Sequence, residues 1–170
     1  MDRPDDSHYE ALVLGGGHAG CEAALALARL GCATLLVTGN PERIAEMSCN
    51  PAIGGQAKGQ LVREIDALGG EMGKAADDTA IQYRLLNTRK GPAVRASRVQ
   101  CDMDLYAKRL QECLRNTPNL RVVGGMVREI LAENGRFLGV RLADGREFAA
   151  AGAVLTAGTF LEAVMHVGFD

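Results

Sequence analysis

The chain of 170 residues has no tryptophan, and only 4% of its residues are aromatic. Its core therefore has to be built from Ala, Val, Leu and Ile, which suits a layered α/β domain. The chain also lacks an excess of either charge, since 19 Lys and Arg residues stand against 21 Asp and Glu residues. This balance excludes a uniformly basic nucleic-acid binder, although it leaves room for a local basic patch.

Metal and disulfide patterns are missing as well. The five cysteines are an odd number at irregular spacing, without a C-x-x-C pair, so we predict no metal site and no disulfide framework. No apolar stretch approaches the roughly 20 residues of a membrane span. The first six residues are polar and acidic and contain no apolar signal core. A reducing cytoplasm is the simplest predicted compartment.

A glycine motif follows the first apolar run. Residues 9–14 predict a buried strand, and the Ala- and Leu-rich residues 20–30 predict a helix. Between them, Gly15 permits a tight turn, Gly17 lets the backbone approach a pyrophosphate, and Gly20 lets the helix pack against its strand. Free amides at the helix start face the phosphates. The candidate dinucleotide-binding residues are Gly15, Gly16, Gly17, His18, Ala19 and Gly20. We expect His18 to make a local backbone or packing contact rather than to transfer protons.

The acidic residue that usually holds the ribose of a dinucleotide is absent. A second strand is predicted at 33–38, completing a βαβ unit. Its end reads Thr38-Gly39-Asn40, whereas Asp or Glu is usual there. Either Asn40 or Glu42 reaches the ribose, or the sugar is held another way. This departure disfavours a simple NAD site.

The middle of the chain alternates ordered loops with short elements. The pattern predicts a loop at 47–59, a helix at 60–68 with an apolar face of Leu61, Ile65 and Leu68, an extended segment at 79–86, and a strand at 120–123. Ser97 and Gln100 match a capping box, which predicts a helix starting there. That helix would bury a face of Val99, Met103, Tyr106, Leu110 and Cys113.

A run of cations stands out between Arg84 and Arg98, because no acidic residue occurs between Asp78 and Asp102. A Gly91-Pro92 turn fixes the loop within it. The run either contacts phosphates or is a solvated surface loop. The candidates for phosphate contact are Lys90, Arg95 and Arg98.

The last third changes character. Asn134-Gly135 and Asp144-Gly145 are hairpin signals, and Leu138, Val140 and Leu142 alternate as in a half-buried strand. We predict a three-stranded antiparallel meander at about 126–150, inserted into a Rossmann-like α/β domain with a parallel sheet. A buried strand at 153–156 then returns to that sheet, followed by Ala157-Gly158-Thr159-Phe160. This order resembles the flavin-binding half of two-dinucleotide-domain flavoproteins, which favours FAD over NAD.

A closer resemblance rests on sequence blocks in order over roughly 150 residues. They are the segments at 15–24, 47–55, 58–59, 66–70, 90–96, 158–161 and 166–168. These blocks resemble the GidA/MnmG family of FAD-dependent tRNA-modifying enzymes. The resemblance implies addition of a carboxymethylaminomethyl or aminomethyl group to carbon 5 of the wobble uridine of tRNA. It also implies NADH, methylenetetrahydrofolate, a GTPase partner (MnmE) and a homodimer.

The resemblance also assigns roles to residues. Gly15 to Gly20 would bind the FAD pyrophosphate, and Val127 would contact its adenine side. Cys49 would be the reactive thiol, acting on the pyrimidine ring or capping an intermediate; the alternative is a small buried loop residue. The cationic run would meet phosphates of tRNA or FAD.

The chain departs from the family pattern in two respects. Family chains are several times longer, so residues 1–170 would form an incomplete FAD-binding domain that is not active alone. Ala163 stands where the family usually has glycine.

Two alternative functions remain at this point. A flavin disulfide reductase needs a second cysteine close to Cys49 in sequence, and the next is Cys101. The other is a non-catalytic binding module or an inactive FAD-binding fragment.

Overall fold

The computed structural model describes residues 8–158. Its strands are β1 (His8–Leu14), β2 (Thr34–Thr38), β3 (Ala52–Gly54), β4 (Ala80–Leu86), β5 (Ala96–Cys101), β6 (Leu120–Gly124), β7 (Val127–Glu133), β8 (Arg136–Leu142) and β9 (Glu147–Leu155). Its α-helices are α1 (His18–Arg29), α2 (Lys58–Ala67), α3 (Met72–Asp78) and α4 (Met103–Asn116). Two 3₁₀ turns lie at Pro41–Arg43 and Pro92–Val94.

The strands form two sheets. A six-stranded sheet has the order β6-β2-β1-β9-β8-β7, and a three-stranded antiparallel sheet has the order β3-β5-β4. In the larger sheet β6, β2, β1 and β9 are parallel, so their carboxyl ends meet at one edge. Open α/β sheets bind ligands at that edge, where the order of the strands reverses. The predicted Rossmann-like α/β fold is confirmed.

Alternating residues of the central strands supply two apolar layers. Val13 and Leu36 pack with α1 and α4 on the helix side, and Leu12 and Leu35 pack on the opposite side. Leucine, valine and alanine dominate both layers, as the scarcity of aromatic residues predicts. Three aromatic side chains of the described residues are the exceptions, since Tyr9 and Tyr106 are fully buried and Phe148 is buried as well.

The predicted capping box at Ser97 is wrong. Residues 96–101 form strand β5, and α4 begins only at Met103. Asp102 caps this helix, because its Oδ1 accepts hydrogen bonds from Asp104 N at 3.1 Å and Leu105 N at 3.0 Å. Val99 and Cys101 lie on the same face of β5 and point into the core, while Gln100 between them is exposed. The apolar residues of 99–101 thus follow a strand period, and only those after 103 follow a helix period.

The predicted loop at 47–59 is partly ordered into elements. It contains β3 and the start of α2, which begins two residues before the predicted start. The predicted apolar face of α2 is largely not buried: Leu61 is 56% exposed and Leu68 is 90% exposed. Val62 packs against the core instead. The spacing of apolar residues identified the helix but not the side that faces the protein.

The three-stranded antiparallel meander is present as β7, β8 and β9. Its third strand and the predicted return strand are one strand, however, because β9 pairs with β8 and also with β1. The meander therefore extends the parallel sheet rather than standing apart from it. The end of β9 is not buried as predicted, since Val154 is 39% exposed and Leu155 is 58% exposed.

One residue of the predicted alternation in β8 also faces outward. Leu138 is 44% exposed, while Val140 and Leu142 are buried. The pairing passes from Leu131–Gly139 to Ala132–Phe137, so Leu138 is the extra residue of a β-bulge.

Candidate functional site

The glycine motif connects the end of β1 to the start of α1. Gly15 has a φ of +118°, and a Cβ there would lie 2.5 Å from the carbonyl oxygen of Thr156. A Cβ at Gly20 would lie 1.8 Å from the carbonyl oxygen of Gly15, so α1 can approach the strand only with glycine there. A Cβ at Gly17 would meet no atom within 4 Å. Gly17 therefore leaves open space on the outer side of the turn.

The helix start beside that space can attract an anion. Gly17 is the N-cap of α1, no side chain caps the helix, and its first turn carries no acidic residue. Cys21 N donates to Gly17 O at 2.9 Å. The amides of His18, Ala19 and Gly20 precede it and have no carbonyl partner within the helix. Together with the positive end of the helix dipole, they suit a phosphate group.

The end of β9 closes one side of the turn. Thr156 N donates to Leu14 O at 2.9 Å. The Thr156 hydroxyl lies 3.0 Å from the carbonyl oxygens of both Leu14 and Gly15, to which it donates. The late small-residue turn is thus packed against the glycine motif. Thr159, Phe160, Leu161, Ala163 and His166–Gly168 lie outside the described residues.

The end of β2 lies on the other side of the turn. Asn40 Oδ1 accepts a hydrogen bond from Glu42 N at 2.9 Å and caps the 3₁₀ turn, so this oxygen is already engaged. The Glu42 carboxylate is exposed and has no ion-pair partner among residues 8–158. Of the two predicted candidates for the ribose, Glu42 is therefore the freer one.

Val127 lies at the same edge of the sheet. Gly125 N donates to Thr38 O at 2.8 Å, which holds the segment before β7 against the end of β2. Val127 is half-buried at the start of β7 and packs against the second apolar layer.

His18 packs beneath the turn. Its ring centroid lies 5.5 Å from that of Tyr106 on α4. Burial lowers the pKa of His18, so the ring is neutral near pH 7. His18 Nε2 and the Tyr106 hydroxyl are both buried without a hydrogen-bond partner. The predicted packing contact is observed.

Cys49 lies in the loop that connects the two sheets. Ala45 N donates to Gly16 O at 2.9 Å, so the loop is attached to the glycine turn. Cys49 follows four residues later, which limits it to about 14 Å from that attachment. It is exposed, so the alternative of a buried loop residue is wrong.

Two other cysteines are poor candidates for thiol chemistry. Cys21 is buried, and its thiol lies 3.7 Å from Gly16 O. Burial raises the pKa of Cys21 to about 12 and also raises that of Cys101. Neither offers the exposed partner that a dithiol mechanism needs beside Cys49.

The predicted phosphate-contact residues lie on the smaller sheet. Lys90 and Arg95 are exposed in the β4–β5 hairpin, and Arg98 is half-exposed on β5. Arg84 lies directly opposite Arg98, which places two like charges side by side. None of the four has an acidic partner within residues 8–158. They belong to a different sheet from the strand that leads into the glycine turn, and the Cys49 loop is attached to that smaller sheet, since Cys101 N of β5 donates to Pro51 O.

The sequence patterns did not predict α3 or the buried carboxylate that precedes it. The Glu22 carboxylate accepts hydrogen bonds from Glu71 N and Met72 N, which fixes the start of α3. Glu71 is buried and pairs with Arg29 of α1 at 2.7 Å and Arg109 of α4 at 2.8 Å. Burial alone would raise the pKa of Glu71, but the hydrogen bonds from the two arginines outweigh it and lower that pKa. A lone Glu in sequence carries no signal for such a network.

The described part of the chain has neither a metal-type cluster nor a membrane helix. No group of three His, Cys, Asp or Glu residues within it is arranged to hold a metal ion. No helix within it is long and apolar enough to cross a membrane.

Comparison with known proteins identifies the family. The family model of glucose inhibited division protein A matches residues 10–170. The tRNA uridine 5-carboxymethylaminomethyl modification enzyme MnmG of Geobacter sulfurreducens is 56% identical over 163 residues, covering 96% of this chain and 26% of the relative. GidA of Aquifex aeolicus matches with a TM-score of 0.88 at 50% identity, covering 91% of this chain and 26% of that one.

A more distant structure shares the fold alone. PqsL of Pseudomonas aeruginosa, a probable FAD-dependent monooxygenase, has a TM-score of 0.60 at 16% identity and is covered over 42% of its length. The chain spans about a quarter of the length of its close relatives. It belongs to the glucose inhibited division protein A family, whose sequence blocks it carries.

Proposed function

We propose that residues 15–20 hold the pyrophosphate of FAD. The observation that carries this proposal is the open space at Gly17 beside three helix-start amides. A side chain at Gly17 would fill that space. An anionic diphosphate would fit there, because the free amides can donate hydrogen bonds to its oxygens. FAD, when bound, supplies electron transfer. The chain's own part is to bind and orient the cofactor at the edge of the sheet.

The neighbouring strand ends would hold the rest of the dinucleotide. Glu42 would accept hydrogen bonds from the ribose hydroxyls, because its carboxylate is exposed and unpaired near the end of β2. Val127 would contact the adenine side through its backbone, since the segment before it is hydrogen-bonded to Thr38.

Replacing Gly17 by Val tests the cofactor site. We expect Gly17→Val to lose bound FAD, because the new side chain occupies the space for the pyrophosphate. The experiment uses the natural chain, meaning the whole protein as its gene encodes it. Flavin absorbance of this purified protein, followed by release of FAD on heating, measures the bound cofactor. Gly152→Val is the matched control. A Cβ at Gly152 also meets no atom within 4 Å, and this glycine lies in β9, outside the glycine turn. Unchanged flavin content in Gly17→Val would refute the site.

The chain matches about a quarter of the length of its relatives. The whole protein would modify tRNA. We propose the family reaction, addition of a carboxymethylaminomethyl or aminomethyl group to carbon 5 of the wobble uridine. NADH, methylenetetrahydrofolate, the partner MnmE and a homodimer belong to this proposal through the family resemblance. Residues 1–170 alone would not carry out the reaction.

Cys49 would supply the reactive thiol. Its exposure supports this role, as does its loop, which is hydrogen-bonded to the glycine turn at Ala45 and to the smaller sheet at Pro51. We expect Cys49→Ser in the natural chain to abolish uridine modification while keeping bound FAD. Retained modification, read by nucleoside analysis of the tRNA, would exclude Cys49.

The cationic residues of the smaller sheet would contact tRNA phosphates. Arg84 joins the predicted Lys90, Arg95 and Arg98, because it is exposed and directly opposite Arg98. An anion between two such guanidinium groups would remove their mutual repulsion. Because their strands belong to a separate sheet from that of the glycine turn, we take tRNA rather than FAD as the source of phosphate.

A further inference from the structure

A groove of about 580 Å³ lies between the start of α2 and the β4–β5 hairpin. We call it the hairpin groove; its walls include Gln56, Gln60, Leu61, Asn87, Lys90 and Val94. Its volume falls in the range of sites that hold small organic groups. No residue of the glycine turn lines it, so it is separate from the proposed FAD site.

The walls combine apolar surface with amide groups that keep free polar atoms. Leu61 is 56% exposed and Val94 is 46% exposed, so both leave apolar area in the groove. Gln56 is exposed, and its amide has no hydrogen-bond partner among residues 8–158. Asn87 Nδ2 donates to Val94 O at 2.9 Å, which leaves its Oδ1 as a free acceptor. An unstacked nucleobase offers the matching flat face and polar edge.

The groove is held in shape by hydrogen bonds between its two sides. Gln60 Nε2 of α2 lies 3.3 Å from both Ala93 O and Arg95 O of the hairpin, to which it donates. The Oε1 atom of Gln60 is buried and accepts no hydrogen bond within the described residues, so the α2 wall carries an unsatisfied acceptor. Lys90 N donates to Asn87 O at 2.9 Å and tightens the hairpin turn. A preformed groove binds without the entropy cost of ordering a loop.

Positive charge borders the groove. Lys90 forms part of its wall, and Arg89 and Arg95 flank the same turn. No carboxylate among the described residues pairs with any of these three cations. Phosphates on either side of a bound base would therefore meet unneutralised charge.

We propose that the hairpin groove holds one unstacked base of a single-stranded RNA segment, with its neighbouring phosphates against Lys90 and Arg95. This inference rests on the proposed tRNA substrate and adds a base-binding position to it. The base stacks against Leu61 and Val94, and its polar edge meets the amides of Gln56 and Asn87.

Filling the groove tests the proposal. The natural chain with its cofactor is titrated with two labelled probes, decauridine and an abasic decamer with the same ribose-phosphate backbone. Ala93→Leu fills the groove without changing a charge or a polar side chain. We expect it to weaken decauridine binding at least about fivefold and to leave the abasic decamer unchanged. Ala67→Leu is the matched control, because Ala67 is exposed at the other end of α2.

A second variant tests the polar edge. Gln56→Leu removes an exposed amide without internal bonds, so it leaves the fold intact. We expect it to weaken decauridine binding about fivefold, again without effect on the abasic decamer. Wild-type affinity for decauridine in Ala93→Leu overturns the inference, as does an equal loss for both probes.

The outcomes separate this inference from the proposed function. If the wild-type chain binds a tRNA transcript and both decamers but neither variant discriminates between the decamers, only the base-binding groove is refuted. If the wild-type chain binds no RNA probe at all, the proposed tRNA substrate fails along with it.

Discussion

Gly20 shows how one missing methyl group decides whether a helix can approach its strand. A Cβ there would lie 1.8 Å from Gly15 O, which is a backbone atom and cannot rotate away. We expect Gly20→Ala to lower the free energy of unfolding by about 3 kcal/mol or more. Urea unfolding of the natural chain measures it.

Gly152→Ala controls for the loss of chain entropy, because a Cβ at Gly152 meets no atom within 4 Å. We expect this control to stay within about 1 kcal/mol of wild type. Equal losses in the two variants would contradict the packing role of Gly20.

At this scale the sequence predicted the residues whose role depends on local geometry. Backbone sterics within six residues account for three features: the turn at Gly15, the open side at Gly17 and the close approach of helix and strand at Gly20. The accessibility of Cys49 and the availability of Glu42 depend on contacts with distant segments. Asn40 is engaged by a local contact instead, because its side chain caps the adjacent 3₁₀ turn, an arrangement that its sequence neighbours allow but do not require. Sequence spacing alone does not distinguish a free side chain from an engaged one.

At the scale of elements, Glu71 ties three helices together through Arg29 and Arg109. We expect Glu71→Gln to cost about 1–2 kcal/mol of stability at pH 7, because each arginine is about a third exposed and water partly compensates the lost pair. The pKa of Glu71 is lowered in the folded state. Its contribution is therefore complete above the unfolded carboxyl pKa of about 4.3 and is lost as pH falls through the lower folded value.

Unfolding curves at several pH values check this prediction. The stability difference between wild type and Glu71→Gln should be constant from pH 6 to 7 and should shrink below about pH 4. A difference that does not depend on pH would contradict the ion-pair explanation. Glu112→Gln, which changes an exposed glutamate of α4 that has no ion pair within residues 8–158, serves as the control.

Elements whose pattern repeats within a few residues of their own sequence were predictable, and those defined by distant partners were not. The β1-α1-β2 unit and the meander follow local periodicity and turn residues. Strand β5 was misjudged because Ser97 and Gln100 fit a capping box, while β3 and β4 supply its actual partners. Helix α3 spans seven residues, and the carboxylate that caps it comes from Glu22, 49 positions before Glu71. No local pattern contains that information.

At the scale of the whole molecule, uncompensated cations are concentrated on one sheet although the net charge is only −2. We expect the logarithm of the tRNA association constant to fall linearly with the logarithm of salt concentration. Arg84→Gln should reduce the magnitude of that slope by about 0.7–0.9, because one phosphate contact is lost. Arg128→Gln, an exposed cation of β7 on the other sheet, should leave the slope unchanged. An unchanged slope in Arg84→Gln would remove Arg84 from the RNA surface.

The pairing of β9 with β1 has a consequence for how the protein is made. Thr156 bonds to residues 141 and 142 positions earlier, so the side of the glycine turn that it closes stays open until that much chain has left the ribosome. At ordinary synthesis speeds this takes about ten to thirty seconds. During that interval β1 has only β2 as a possible parallel neighbour until β9 emerges. Strand β1 is thus among the last elements of this segment to acquire its neighbours, and a nascent chain that ends before Thr156 lacks one side of the proposed phosphate-binding turn.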